Sequence, residues 1–233
     1  MLKVLIGLCL LLAPARVLPA REIVLGGQRL KVKLMDQQDF NGVVNEWRYG
    51  GRGRVWVQHG HLQMDATGVE STAWFTLELK GNLLITYEAR ILPPAGKKNI
   101  NLIFLASAPG GGDVLKLYFT GQYSEYKNIP NYIWTFDAPQ TRLRRNPGFL
   151  MVSENKKVLP EPGKTYHLAV TTWNGLIRCF IDGELIHSYQ DPHPHTRGKL
   201  AFRSWHTRLW WDNLRVYKLL EVTTIRSLNS NLR

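Results

Sequence analysis

Cysteine is nearly missing from this sequence, with only Cys9 and Cys179 in 233 residues. Cys9 falls in an N-terminal segment set apart below, so Cys179 has no partner and an intrachain disulfide is excluded; a core of this size needs none. Cys179 sits between Arg178 and Phe180 in a strand-like run, which is the setting of a small buried thiol rather than of a nucleophile. Helical periodicity is almost absent between residues 55 and 217. Beyond the first residues, no stretch is apolar enough to span a bilayer as a helix.

Several chemistries lack their parts. There is no Gly-x-x-x-x-Gly-Lys to cradle a nucleotide phosphate, no Gly-x-Ser-x-Gly to present a nucleophilic serine, and no paired Cys-x-x-Cys to hold zinc. A retaining glycosidase built on a strand needs two carboxylates on alternate residues, and no Glu-x-Asp-x-x-Glu occurs. Asp182 and Glu184 have the spacing but flank a tight turn. His193-Pro194-His195 offers two imidazoles with Asp191 nearby, but no carboxylate or cysteine cluster completes a zinc set, and no calcium ligand string is present. Neither a metal nor a cofactor is expected.

What is present begins with an export signature. Lys3, an apolar run from Val4 to Leu12 and the small and turn residues up to Ala20 have the three-part layout of a cleavable signal, with the cut after Ala15 or Ala20. The alternative is a short anchor that is never removed. Residues 1–20 are therefore set apart, residues 21–218 are read as one domain and residues 219–233 as a polar, loosely held extension, in a secreted or periplasmic protein. The formal charge of +12 becomes +10 without Lys3 and Arg16. Such a surface attracts polyanions, and outside the cytoplasm acidic polysaccharides are a better match than nucleic acid. The charge also serves solubility alone.

From residue 55 onward the chain is a succession of short runs rich in Val, Ile, Thr, Tyr, Phe and Trp. They fall at 55–58, 61–64, 72–77, 83–91, 100–106, 114–119 and 132–136, then at 149–153, 165–173, 176–181, 184–190, 199–203 and 208–217. That many short strands indicate a sandwich or barrel. Asn174-Gly175 and Asp182-Gly183 are the dipeptides of type I′ hairpins and tie three antiparallel strands together. In 83–91 one face is apolar, while Thr86, Glu88 and Arg90 form the other, a candidate groove face.

The signals at Asp39-Phe40, Trp47, Gly60-His61-Leu62, Trp74, Tyr87-Glu88-Ala89-Arg90, Phe180-Ile181-Asp182-Gly183-Glu184, Gly198 to Arg203 and Trp211 to Tyr217 follow a familiar order. With Asn101 before an apolar strand and the Thr141 to Gly148 arginine motif, the chain resembles the concanavalin A-like lectin/glucanase superfamily. More narrowly it is similar to an uncharacterised bacterial branch found among polysaccharide-degradation proteins. The resemblance implies an all-β, two-sheet antiparallel jelly roll, a carbohydrate ligand and a groove across one sheet. It does not choose between lectin, hydrolase and lyase.

A lyase acting on a uronic acid needs a cation or amide at the carboxylate and a Tyr or His to move protons. Arg142, Arg144, Arg145 and Arg203 supply forked donors, and Asn101, Gln122 and Asn131 neutral ones. Tyr123, Tyr126, Tyr132 and His206 are the candidates for proton transfer. Residues 120–148 concentrate these groups with no clear strand beyond 132–136. Trp134, Trp205, Trp210 and Trp211 can stack on sugars, though Trp210 and Trp211 are adjacent and must face opposite ways. The expected catalytic set is His206, Tyr132, Arg142 and Arg144, and the expected binding set Asn101, Tyr123, Trp134, Arg203 and Trp205. The same residues serve a non-catalytic carbohydrate-binding module equally well, and a hydrolase with an atypical residue set is the third reading.

Overall fold

The computed structural model describes residues 19–42 and 44–225. The export signature lies outside the described residues apart from Pro19 and Ala20, as does the end of the tail beyond residue 225. In chain order the first strands are β1 (Arg21–Leu25), β2 (Gln28–Gln38), β3 (Trp47–Gly51), β4 (Arg54–Gln58), β5 (His61–Asp65) and β6 (Glu70–Phe75). They are followed by β7 (Leu79–Lys80), β8 (Leu83–Ile91) and β9 (Asn99–Ala106). After a long connection come β10 (Asn131–Asp137), β11 (Thr141–Asn146) and β12 (Leu150–Asn155). The last five are β13 (Thr165–Trp173), β14 (Leu176–Ile181), β15 (Glu184–Gln190), β16 (Arg197–Trp205) and β17 (Arg208–Thr224).

These strands form the expected two antiparallel sheets. One has nine strands in the order β1-β2-β17-β8-β13-β14-β15, with β4 and β5 alongside the first part of β17. The other has eight, in the order β12-β11-β10-β9-β16-β6-β3, with β7 against β16. The type I′ dipeptides act as anticipated. Asn174 and Asp182 take φ of 49° and 51°, each followed by a positive-φ glycine, and they join β13 to β14 and β14 to β15. His59-Gly60 repeats the device between β4 and β5.

The main core lies between the sheets. Phe202 of β16 stacks on Trp211 of β17 at 4.9 Å and on Trp47 of β3 at 5.5 Å, so rings from both layers interdigitate. Burying each such side chain stabilises the fold by roughly 1.5–3 kcal/mol. Cys179 belongs to this core, and burial pushes its thiol pKa well up. The Thr86, Glu88 and Arg90 face turns outward from the nine-stranded sheet, because Leu83, Ile85, Ala89 and Ile91 fill the interior.

Four expectations need correction. Residues 114–119 are not a strand: Val114–Lys116 form a single 3₁₀ turn, started by the Asp113 carboxylate accepting from Leu115 N–H at 3.0 Å. Their apolar side chains cover a sheet face instead of joining a ladder. Residues 141–146 form β11, whose alternation was concealed because Arg142 and Arg144 occupy one of its faces. β1, β2 and β3 lie ahead of residue 55, where no strand was predicted. The tail is not loose at its start, since β17 continues to Thr224 and pairs with β2 as far as Gln28.

Candidate functional site

The candidate site is read most directly from cross-strand register on the outer face of the eight-stranded sheet. Arg142 of β11 lies opposite Thr135 of β10, Thr135 opposite Asn101 of β9, Asn101 opposite Arg203 of β16, and Arg203 opposite Thr72 of β6. These five therefore form one polar row on a single face. The next row is Arg144, Ile133, Ile103, Ala201 and Trp74. It is mostly apolar and has its own cover, in which Val114, Phe119, Tyr126 and Ile129 pack on Trp74, Ile103, Ile133 and Ala201. The long connection between β9 and β10 thus roofs part of the face, Thr72 included, and leaves Arg142, Thr135, Asn101 and Arg203 as the floor of a groove.

Two contacts hold the roof in place. The Tyr126 hydroxyl is 2.5 Å from Thr72 Oγ1, and Gly121 C=O accepts from Arg203 Nε at 3.1 Å. Gly121 lies so close to β6 that an added Cβ would meet Glu70 O at 2.8 Å, and its φ of +89° suits glycine.

The groove encloses about 440 Å³ and crosses β11, β10, β9, β16 and β6. Four strand spacings give it a length of about 19 Å. Trp205 stands on one rim with Lys97 Nζ 5.3 Å from its ring centroid, and Tyr123, Phe149 and Arg144 form the opposite end. Among the described residues, Arg142, Arg144, Arg203 and Lys97 line the groove with two carboxylates, Glu70 and Asp137. Arg203, 2% exposed, pairs with Glu70, and Arg142 donates to Asp137 Oδ2 at 3.0 Å. Arg144 has no carboxylate partner among the described residues; its guanidinium lies 4.4 Å from the Phe149 ring centroid and 5.9 Å from that of Tyr123.

Three polar atoms in this groove are buried without a hydrogen-bond partner: Arg142 Nε, Arg144 Nε and the Tyr123 hydroxyl. The hydroxyl is near the Arg144 guanidinium but outside hydrogen-bond geometry. Burial raises the Tyr123 pKa, and the charges of Arg144, Arg203 and Arg142 only partly oppose that rise. The phenol is therefore held protonated, as a donor. Burial likewise raises the Asp137 pKa against the Ala138 N–H and Arg142.

The structure thus brings together Asn101, Tyr123, Arg142, Arg144, Arg203 and Trp205 of the expected site residues. It does not bring in Tyr132, Trp134 or His206. Tyr132 and Trp134 alternate with Ile133 and Thr135, and they point into the core between the sheets. Tyr132 instead donates to Asp191, which also accepts from Arg145 Nε at 2.7 Å. His206, in the β16–β17 turn with φ of 52°, packs edge-on against Trp205 behind the rim. Sequence reasoning missed Glu70, Lys97, Asn99, Thr135, Asp137 and Phe149. The period-2 alternation of β10 was the available signal for Thr135.

His195 Nε2 lies 2.7 Å from Asn146 O, and among the described residues no three His, Cys, Asp or Glu side chains gather. Among the described residues, no helix is long and apolar enough to cross a membrane.

Residues 65–214, from the end of β5 into β17 and including every groove residue, match the family model described as "Domain of unknown function (DUF6250)". The chain belongs to the DUF6250 family. This DUF6250 chain is also similar to a Bacillus subtilis protein of unknown function with a galectin-like fold, at 18% identity and a TM-score of 0.73, covering 82% of this chain and 99% of that one. Carbohydrate binding module CBM66 from Bacillus subtilis aligns at 17% identity and a TM-score of 0.55 over 72% and 93% of the two chains. The carbohydrate recognition domain of Emp46p in its metal-free form aligns at 11% and 0.59 over 77% and 94%. At these identities the likeness is one of fold. No curated protein matches the chain.

Proposed function

We propose that this DUF6250 chain is an exported carbohydrate-binding protein whose groove takes an acidic glycan, held by Arg142 and Arg144 and stacked on Trp205. The observation that carries the reading is the convergence of Arg142 Nε, Arg144 Nε and the Tyr123 hydroxyl, all buried and unpartnered, in a groove with twice as many cations as carboxylates. A carboxylate or sulfate on a sugar satisfies those donors at once. Asn101 Oδ1, whose Nδ2 is taken up by Asn99 Oδ1 and Arg203 C=O, and the Thr135 hydroxyl on the floor suit neutral hydroxyls, and Trp205 offers an aromatic face at the rim. The fold shared with a carbohydrate-binding module and a carbohydrate recognition domain supports the same reading.

Binding is favoured over β-elimination because two of the groups named for proton transfer, Tyr132 and His206, are outside the groove. Elimination at this site would have to rest on Tyr123. Calorimetry with polygalacturonate, alginate and chondroitin sulfate, run beside ultraviolet monitoring for unsaturated uronate, separates the two. Saturable binding without absorbance growth is expected. Absence of binding to all three removes the acidic-glycan reading, and a steady rise in absorbance replaces binding with lyase chemistry.

A further inference from the structure

The outer face of the nine-stranded sheet has a different chemistry from the groove. Trp56 of β4 lies opposite Gln63 of β5, Gln63 opposite Trp210 of β17, and Trp210 opposite Arg90 of β8. All four side chains therefore leave the same face. The direction is outward, because Val55 and Val57, Leu62 and Met64, and Leu209 and Trp211 on either side of them pack into the core. Trp56 and Trp210 are half-buried and propped in place. Arg54 lies 4.9 Å from the Trp56 ring centroid, Trp56 Nε1 donates to Gln58 Oε1 at 3.1 Å, and the His61 ring sits 4.2 Å from that of Trp210. Two strand spacings separate the tryptophans, about 10 Å.

Charge and polarity narrow the occupant. Asp65, Glu88 and Asp212 lie among Arg54, Arg90 and Arg208 on this face, so no strong field of one sign selects a polyanion. The apolar side chains of this face, Leu84, Phe180 and the exposed Leu185 among them, lie farther along β8 and on β14 and β15, so the patch between the two tryptophans lacks the continuous apolar centre of a protein–protein interface. Two half-buried aromatic rings about two strand spacings apart match a chain of sugar rings, whose faces are apolar.

We propose that this face is a second glycan-binding surface, on which Trp56 and Trp210 stack against sugar rings of a linear, uncharged polysaccharide, while Gln63 beneath them, 9% exposed and donating from Nε2 to Gln58 C=O at 3.3 Å, fixes their spacing. It shares no residue with the groove and lies on the opposite side of the sandwich, so the protein bridges two glycan chains.

The test is affinity electrophoresis of the full chain through gels containing hydroxyethylcellulose, xylan or glucomannan. Retardation by at least one polymer is expected, with Kd raised about tenfold by Trp56→Ala or Trp210→Ala and unchanged by Arg144→Ala in the groove. Trp56 is on an edge strand, so Trp56→Ala keeps the test valid if Trp210→Ala unfolds, and Trp56→Tyr should restore most of the retardation. No retardation by any of the three polymers overturns the proposal. So does retardation that survives Trp56→Ala, or a concentration-dependent dimer in sedimentation that Trp56→Ala abolishes. A protein that binds these neutral polymers but no acidic glycan keeps this surface and removes the groove reading; the reverse result does the opposite.

Discussion

His187 links the stability of the sandwich to pH at the strands that carry the groove arginines. It comes from β15 and inserts between the sheets, 1% exposed, with Nε2 3.1 Å from Thr141 Oγ1 of β11 and Nδ1 2.8 Å from Ser153 Oγ of β12. Burial lowers its pKa from 6.5 to about 4. In the unfolded chain the imidazole takes up a proton as pH falls through about 6.5, whereas the folded protein refuses it until about pH 4. Stability is therefore full above pH 6.5, falls between 6.5 and 4, and then levels off as far as this group is concerned. Between pH 7.5 and 4.5 the linkage is about 2–3 kcal/mol. Urea unfolding followed by tryptophan fluorescence at those two pH values, in wild type and His187→Gln, isolates it. Wild type should lose about 2–3 kcal/mol more than the variant on acidification. Equal losses in the two proteins would refute the assignment of a buried, neutral His187.

Other outcomes follow from the groove and its supports. Arg144→Ala should weaken acidic-glycan binding by about ten- to a hundredfold in calorimetry while leaving Tm nearly unchanged, since it removes a charged donor that pairs with no carboxylate in the free protein. The wild-type affinity should itself fall as salt rises. Trp205→Ala should lower affinity with little change in stability, whereas Trp134→Ala should cost about 3–5 kcal/mol in denaturant unfolding, because that ring is core. Gly121→Ala should destabilise by about 1–3 kcal/mol and also weaken binding, because strain at its positive φ and the clash with Glu70 O displace the roof. Cys179 should resist a thiol reagent in the native state and react only on unfolding; prompt native labelling would contradict its burial.

Much of the site was legible as residue types without being legible as a place. Arg142, Arg144, Arg203, Asn101, Tyr123 and Trp205 stood out as donors and stacking rings, and they meet in one groove. Tyr132 and Trp134 stood out for the same reasons and do not belong. Both faces of β10 are buried, one against the opposite sheet and one partly under the roof, so its alternation could not say which face carries the ligand. β11 was hidden for a related reason, since two arginines on its outer face gave it the composition of a loop. The Thr86, Glu88 and Arg90 face was expected to be the groove face, but the groove that gathers the arginines lies on the opposite sheet.

By itself the amino-acid order determined the layered β architecture and its hairpins, because period-2 alternation and the positive-φ dipeptides are local properties that each short segment expresses alone. Only the tertiary structure decided which strands lie side by side. Residues 142, 135, 101 and 203 share a row because β11, β10, β9 and β16 are neighbours in the sheet. That adjacency is set by how the two apolar faces and the roof close over one another, a balance of contacts distant in the chain that no local pattern records.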